Sequence, residues 1–199
     1  YYTDNGAWSY YAHAGYSDYD TMLTAVRESW ESSGLPLRGY QIDSWWYPKD
    51  TSHGGNGCVE WVATNDTFPH GLVSFFNENK LPMTAHARYW AESVVYSKEN
   101  GGGYNFVCDS NNSGFCIPDD STFWRDLARN STAWGLRTME HDWLDDTTQH
   151  VTQLLTDATL GRRWLMDMSE GCEENRVTVQ LCMAFPRHKM QSLEMAAVT

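Results

Sequence analysis

The sequence predicts an α/β protein, and more narrowly part of a (β/α)8 barrel built on parallel strands. Three observations carry this. Strand-like and amphipathic helix-like segments alternate along the whole 199-residue chain, as βα units on a parallel sheet do. Three of the strand-like segments, 40–46, 83–90 and 138–143, each end in an acid or a base beside tryptophan. No G-x-G-x-x-G or G-x-x-x-x-G-K-[ST] loop follows any strand, which counts against an open nucleotide-binding sheet.

The elements follow in order. Residues 1–7 read as the end of a first strand, with Thr3-Asp4-Asn5-Gly6 as its polar exit. Met22, Leu23, Val26 and Trp30 recur at helical spacing behind Asp18, and Gly34 with Pro36 ends that stripe. A second strand spans 37–44, followed by a loop rich in Gly and Asn around 54–57. A helix over 72–79 leads to a third strand over 82–88. A further Gly/Asn-rich loop, 100–114, precedes Phe123, Trp124, Leu127, Ala128 and Trp134, an amphipathic helix closed by Gly135.

The fourth strand spans 136–141. Val151, Leu154, Leu155 and Ala158 mark a helix after it, with a further turn at 163–168. A fifth strand over 177–182 passes Pro186 into a last helix around 190–197. A closed barrel takes eight units and about 250 residues. Five units are legible, so residues 1–199 read as the N-terminal part of one TIM-barrel domain with long βα loops, cut before its sixth strand.

A formal charge of −12 leaves no basic stripe to neutralise phosphates, which excludes nucleic acid as a partner. No run is long and apolar enough to cross a membrane. Ten tryptophans stand against four lysines, a usage suited to a groove for flat, hydroxylated ligands. Cys58, Cys108, Cys116, Cys172 and Cys182 contain no C-x-x-C pair, so no zinc site is expected. Sequons begin at Asn65, Asn111 and Asn130, and together with the cysteines they favour a secretory, extracellular route. Cys108 with Cys116 and Cys172 with Cys182 are the local pairings to test, leaving Cys58 over; the alternative is five reduced thiols.

Alternation along a strand sends Gln41 and Asp43 to one face, with Tyr40 and Ile42 packing on helices. By the same rule Thr84, His86 and Arg88 point inward on the third strand, and Thr138, Glu140 and Asp142 on the fourth. In a barrel these groups meet at the carboxyl ends of the strands, where such folds do their chemistry. Carboxylates there suit glycosidic cleavage, and Trp45, Trp46, Trp90 and Trp143 suit the platform for a sugar ring. Glu140 and Asp142 share one strand and approach from one side, so the carboxyl that flanks the scissile bond opposite Asp142 must come from elsewhere. The four lysines fall away from strand ends, against a Schiff-base enzyme. Asp43, His86, Glu140 and Asp142 are of types that could ligate a metal; the carbohydrate reading ranks above it.

Ile42-Asp43-Ser44-Trp45-Trp46 resembles the Ile-Asp-Asp-Gly-Trp strand of glycoside hydrolase clan D, the retaining α-galactosidases and raffinose-synthase relatives. Glu140-His141-Asp142 is similar to that clan's Lys-Tyr-Asp or Lys-Trp-Asp strand. The resemblance implies a barrel fold, no cofactor, Asp142 as nucleophile and Asp43 as a holder of sugar hydroxyls. Thr3-Asp4-Asn5-Gly6-Ala7, 41–47, 86–90, Asp142-Trp143-Leu144 and 182–193 more closely resemble uncharacterised secreted eukaryotic proteins of this type. Two departures matter. Glu140 stands where the clan has lysine, reversing the charge expected to face the substrate. The clan's acid/base aspartate lies on strand six, which these residues do not reach, so the fragment alone should be inactive.

The expectation is therefore a retaining glycosidase of α-galactosidase type acting on an oligosaccharide or glycoside. Asp142 is its catalytic residue, and Asp4, Asp43, Trp45, Trp46, His86, Arg88, Trp90, Glu140 and Trp143 contact substrate. The alternative is a non-catalytic carbohydrate-binding protein on a degenerate hydrolase barrel.

Overall fold

The structure, a computed structural model, describes all residues except Gly54, Ser110 and Asn112. Part of the first glycine-rich loop and the middle of the Asn111 sequon thus lie outside the described residues. In chain order the elements are α1 (Tyr19–Ser32), β1 (Tyr40–Ile42), β2 (Lys49–Asp50), β3 (Gly57–Cys58), α2 (Gly71–Asn79), β4 (Met83–Ala87), β5 (Trp90–Ala91), β6 (Phe106–Cys108) and β7 (Phe115–Pro118). Then come α3 (Ser121–Ser131), β8 (Leu136–His141), α4 (Leu144–His150), α5 (Gln153–Thr156), α6 (Leu160–Glu174), β9 (Thr178–Leu181) and α7 (Pro186–Gln191).

β1, β4, β8 and β9 lie side by side in that order, every pair parallel. Each edge carries one more parallel bridge, Tyr2 to Gln41 and Val198 to Val179. The sheet is therefore an arc of a barrel that does not close. Residues 1–7 join it through a single bridge, with the Gln41 N–H donating to the Tyr1 carbonyl at 2.8 Å.

Helices cover the outer face of this arc for local reasons. α1 starts where the Asp18 carboxylate accepts the Thr21 N–H at 2.7 Å, an N-cap. It buries Tyr19, Met22 and Leu23 against the sheet, where the Tyr40 hydroxyl donates to the Leu23 carbonyl at 3.0 Å. Asp120 caps α3 in the same way through the Thr122 N–H. Gly135 ends the turn after α3 at φ +84°, a left-handed conformation, and a Cβ there would sit 2.3 Å from the Phe76 ring. Only glycine meets both conditions.

The loops after β1 and β4 are not irregular. They fold into a second sheet of order β2-β3-β5-β7-β6, with β6 and β7 forming an antiparallel hairpin joined by the Cys108–Cys116 disulfide. Sequence patterning reads 100–114 as loop because two- and three-residue strands carry too little alternation to register.

The second expected disulfide does not form. Cys172 lies in the core on the buried face of α6, whereas Cys182 follows β9 and turns its thiol toward Asp142; both are free. α6 is a full 15-residue helix rather than a turn, and α4, which the sequence reading omits, follows Trp143 directly. The last helix begins at Pro186, earlier than expected, because Pro fits the first helical position.

Candidate active site

The carboxyl ends of β1, β4, β8 and β9 open into a cleft of about 810 Å³. Asp4, Asp43, His86, Arg88, Asp142 and Trp143 all line it. Asp43, His86, Arg88 and Asp142, which strand alternation sends inward, thus share one hollow with Asp4 and Trp143.

Asp142 continues β8, its N–H donating to the Ala87 carbonyl of β4 at 2.8 Å. One carboxylate oxygen accepts the N–H of Trp143 at 2.7 Å and the other lies 3.2 Å from Nε2 of His86. Nδ1 of His86 lies 2.9 Å from the Tyr47 hydroxyl. Burial pushes the Tyr47 phenol well above its ordinary range, so it keeps its proton. The direction of that bond follows the protonation of His86, and Nε2 is the atom that faces the Asp142 carboxylate as a donor. Burial opposes ionisation of Asp142. The hydrogen bond and charge of His86, the Trp143 N–H and the Cys182 thiol outweigh it, and the carboxyl is held below its ordinary range. The thiol is raised to about 12, first by burial and then by Asp142 itself.

Asp43 is 3 % exposed. It accepts the Ser44 N–H at 2.6 Å and the Gln41 side-chain amide at 3.0 Å. That amide is shared with Glu140 at 2.8 Å. Thr3 ties the strand down from the chain's first residues: its hydroxyl donates to the Gln41 carbonyl at 2.8 Å and accepts from the Asp43 N–H and the Trp45 indole. Asp4, exposed at the rim, has its carboxyl pushed up by partial burial, with the charges of Asp43 and Asp142 adding to it against the Asn5 N–H.

Glu140 does not line the cleft. It lies beneath it, 3 % exposed, held by Gln41 and, at 3.4 Å, by Gln180 of β9. Burial raises its pKa, opposed by the Gln41 hydrogen bond. The expected charge reversal facing the substrate is therefore absent from the cleft wall. A cation stands there instead: Lys49 of β2 reaches back into the cleft and donates to the Ser44 carbonyl at 2.6 Å. Burial, helped by the Arg88 charge, lowers the ammonium to about 8. The sequence reading set Lys49 aside because it lies seven residues beyond β1; only the return of β2 over the barrel mouth brings it in. Tyr10 and Tyr11 also line the cleft, from the turns that precede α1, and the Tyr11 hydroxyl lies 3.0 Å from the Ser44 hydroxyl.

Three of the four expected platform tryptophans are core. Trp45 stacks on Tyr19 of α1 at 3.4 Å between ring centroids, Trp46 packs edge-on against Trp61 and Trp134, and Trp90 against Phe123 and Trp124. All are buried. The chain turns after each strand end, which sends these rings under the loops that follow rather than over the mouth. Only Trp143 faces the cleft; it sits at φ +62°, and the Arg88 guanidinium lies 4.3 Å above its ring.

No protein-family model matches the chain, and no curated protein matches it in sequence. Solved structures do. An α-galactosidase from Thermus thermophilus, in complex with stachyose, is similar with a TM-score of 0.57 at 18% identity over 96% of this chain and 42% of its own. A β-L-arabinopyranosidase of family GH27 from Geobacillus stearothermophilus, in complex with arabinose, is similar with a TM-score of 0.62 at 12% identity over 90% of this chain and 49% of its own. The chain thus spans less than half the length of these proteins. The shared feature is a fold: an α/β arrangement on a parallel sheet, as in part of a glycoside-hydrolase barrel.

Proposed function

We propose that this chain forms the nucleophile-bearing part of a retaining glycoside hydrolase of α-galactosidase type, with Asp142 as the nucleophile. The observation that carries the reading is the ionised Asp142 carboxylate, which the Tyr47–His86 relay and the Trp143 N–H hold at the mouth of a parallel sheet. An Asp142 oxygen would attack the anomeric carbon as the glycosidic C–O bond breaks. The departing oxygen would take its proton from a carboxyl outside this sequence, which would then activate water to release the sugar. Asp4, Asp43 and Arg88 would hold hydroxyls, and Trp143 would supply the apolar face. The reaction as written needs no cofactor.

An extracellular location belongs to the same proposal. It is supported by the Cys108–Cys116 disulfide and by the exposure of Asn65, Asn111 and Asn130, the acceptor residues of the three sequons.

The test is hydrolysis of aryl α- and β-glycosides by the full-length protein and its Asp142→Asn and Asp142→Gly variants. Loss of turnover in both, with sodium azide restoring release of the aryl alcohol by Asp142→Gly and leaving the sugar as a glycosyl azide, supports the assignment. Near-normal turnover by Asp142→Asn removes Asp142 as nucleophile. Sugar binding without hydrolysis by the wild-type protein supports the carbohydrate-binding alternative instead.

A further inference from the structure

Beyond Trp143 the cleft continues into a second lobe of about 360 Å³, which shares Asn56, Arg88 and Trp143 with the first. Its chemistry differs. The first lobe carries three carboxylates, Asp4, Asp43 and Asp142. Among the described residues lining the second there is none, while His53, Arg88 and His150 all reach it. In a chain of net charge −12, the one permanent charge among the described residues lining this hollow is the cation Arg88.

Arg88 is the centre of the anomaly. It is 5 % exposed, and its Nε is sealed off without a hydrogen-bond partner among the described residues. Its neighbours are two ring faces, Trp143 at 4.3 Å and Tyr89 at 5.5 Å. Buried guanidinium groups ordinarily pair with carboxylates, because an unpaired buried charge is costly. Three carboxylates line the adjoining lobe, yet none forms an ion pair with Arg88 among the described residues.

The remaining walls are rings packed on one another, which makes the frame around Arg88 rigid. Tyr89 stacks on Phe115 at 3.6 Å, and Phe115 stacks in turn on His150 at 4.4 Å. Phe115 belongs to the hairpin that the Cys108–Cys116 disulfide joins. The histidines are tethered at the edges, His53 by Glu92 at 3.3 Å and His150 through Nδ1 to the Asp146 carbonyl at 2.8 Å.

We propose that this second lobe binds an anionic sugar unit, one bearing a carboxylate or a sulfate ester, with Arg88 as its counter-ion and the partly exposed Trp143 as its apolar wall. The inference deepens the glycosidase reading and rests on it: the preferred substrate is an acidic oligosaccharide whose charged unit lies next to the bond at Asp142. A planar guanidinium pairs bidentately with a carboxylate or a sulfate oxygen pair, which neutral hydroxyls cannot match.

The test measures binding alone, by titrating the purified protein with D-galacturonic acid, galactose 6-sulfate, D-galactose and inorganic sulfate. Binding of one or both charged sugars about tenfold or more tighter than galactose is the expected result, with the stronger of the two naming the charged group. Arg88→Gln should erase that preference. His150 is exposed, so His150→Glu tests the same lobe without disturbing the core, and it should weaken charged-sugar binding several-fold while leaving galactose unchanged. Where Arg88→Gln fails to fold, His150→Glu decides alone.

Equal affinity for charged and neutral sugars overturns the proposal. So does a preference that survives either variant, or sulfate binding as tightly as the charged sugars, which would make the lobe a plain anion site. Hydrolysis of neutral aryl glycosides without charge preference defeats this inference and leaves the glycosidase reading standing. Charge preference without hydrolysis of any glycoside defeats only the latter.

Discussion

Nε2 of His86 lies 3.2 Å from Oδ2 of Asp142, across the parallel pair β4–β8. The contact joins the penultimate residue of β4 to the residue just past the end of β8, and it is anchored from behind by Tyr47. It fixes both the position and the charge of the proposed nucleophile.

His86→Ala should therefore damage catalysis in two separable ways. Loss of the donor leaves Asp142 free to swing, costing on the order of 100-fold in kcat/KM. Because His86 helps hold the Asp142 pKa down, its removal raises that pKa and moves the acid limb of the pH–rate profile to higher pH. A variant profile that drops in height but keeps its acid limb would mean that His86 only positions the carboxylate.

Trp46 and Trp143 should behave as opposites. Trp46 is fully buried among Trp61 and Trp134, so Trp46→Ala should cost about 3–5 kcal/mol in denaturant unfolding. Trp143 is partly exposed and lines both lobes. Trp143→Ala should leave the unfolding midpoint far less changed while weakening sugar binding. Equal destabilisation by the two would make Trp143 a core residue.

The single amide of Gln41 serves both Asp43 and Glu140. Gln41→Leu deprives two buried carboxylates of a donor at once and should cost about 1–3 kcal/mol for each group left unsatisfied. Glu140→Gln removes a charge that burial already disfavours, and at neutral pH it should cost little or stabilise. Guanidinium melts of the two variants, side by side at pH 7, check the order.

Acid should unfold the protein early, and His141 is one reason. Its ring is wedged between Trp124 and Trp164 with neither nitrogen partnered among the described residues, and burial lowers its pKa to about 3. His188, which touches the Thr148 hydroxyl, is lowered to about 4, again chiefly by burial. Both folded-state values lie below the unfolded value, so the unfolded chain takes up protons that the native state refuses. Stability is then lost as pH falls from about 6.5, at about 1.4 kcal/mol per pH unit for each group, until the folded-state pKa is reached. His141→Leu should flatten this slope between pH 6.5 and 5 by about half if the two histidines dominate it. An unchanged slope would assign the acid lability elsewhere.

The parts of this architecture that local chemistry controls are readable without coordinates. β8 is legible because Gly135 stops the preceding turn and alternation sends Met139 and His141 to the helices while Glu140 and Asp142 go the other way. The convergence of Asp43, His86 and Asp142 follows from that alternation. The tryptophans do not, since a residue two to four places beyond a barrel strand takes its direction from the segment that follows. Lys49 enters the cleft on a two-residue strand too short to leave a periodic trace, and Tyr10 and Tyr11 enter it from turns that have no period at all. Cys172 and Cys182 are close in sequence, but β9 and the long α6 set them on different sides of the sheet.

Trp143 has one further property. Its amide holds the proposed nucleophile, its ring carries Arg88, and its left-handed backbone joins β8 to α4. A ligand that tilts the indole in the outer chamber thereby pulls on the same peptide unit that aims the Asp142 oxygen. Occupancy of one chamber would then be felt as reactivity in the other, so that a two-unit glycan could be cleaved faster than its separate affinities foretell.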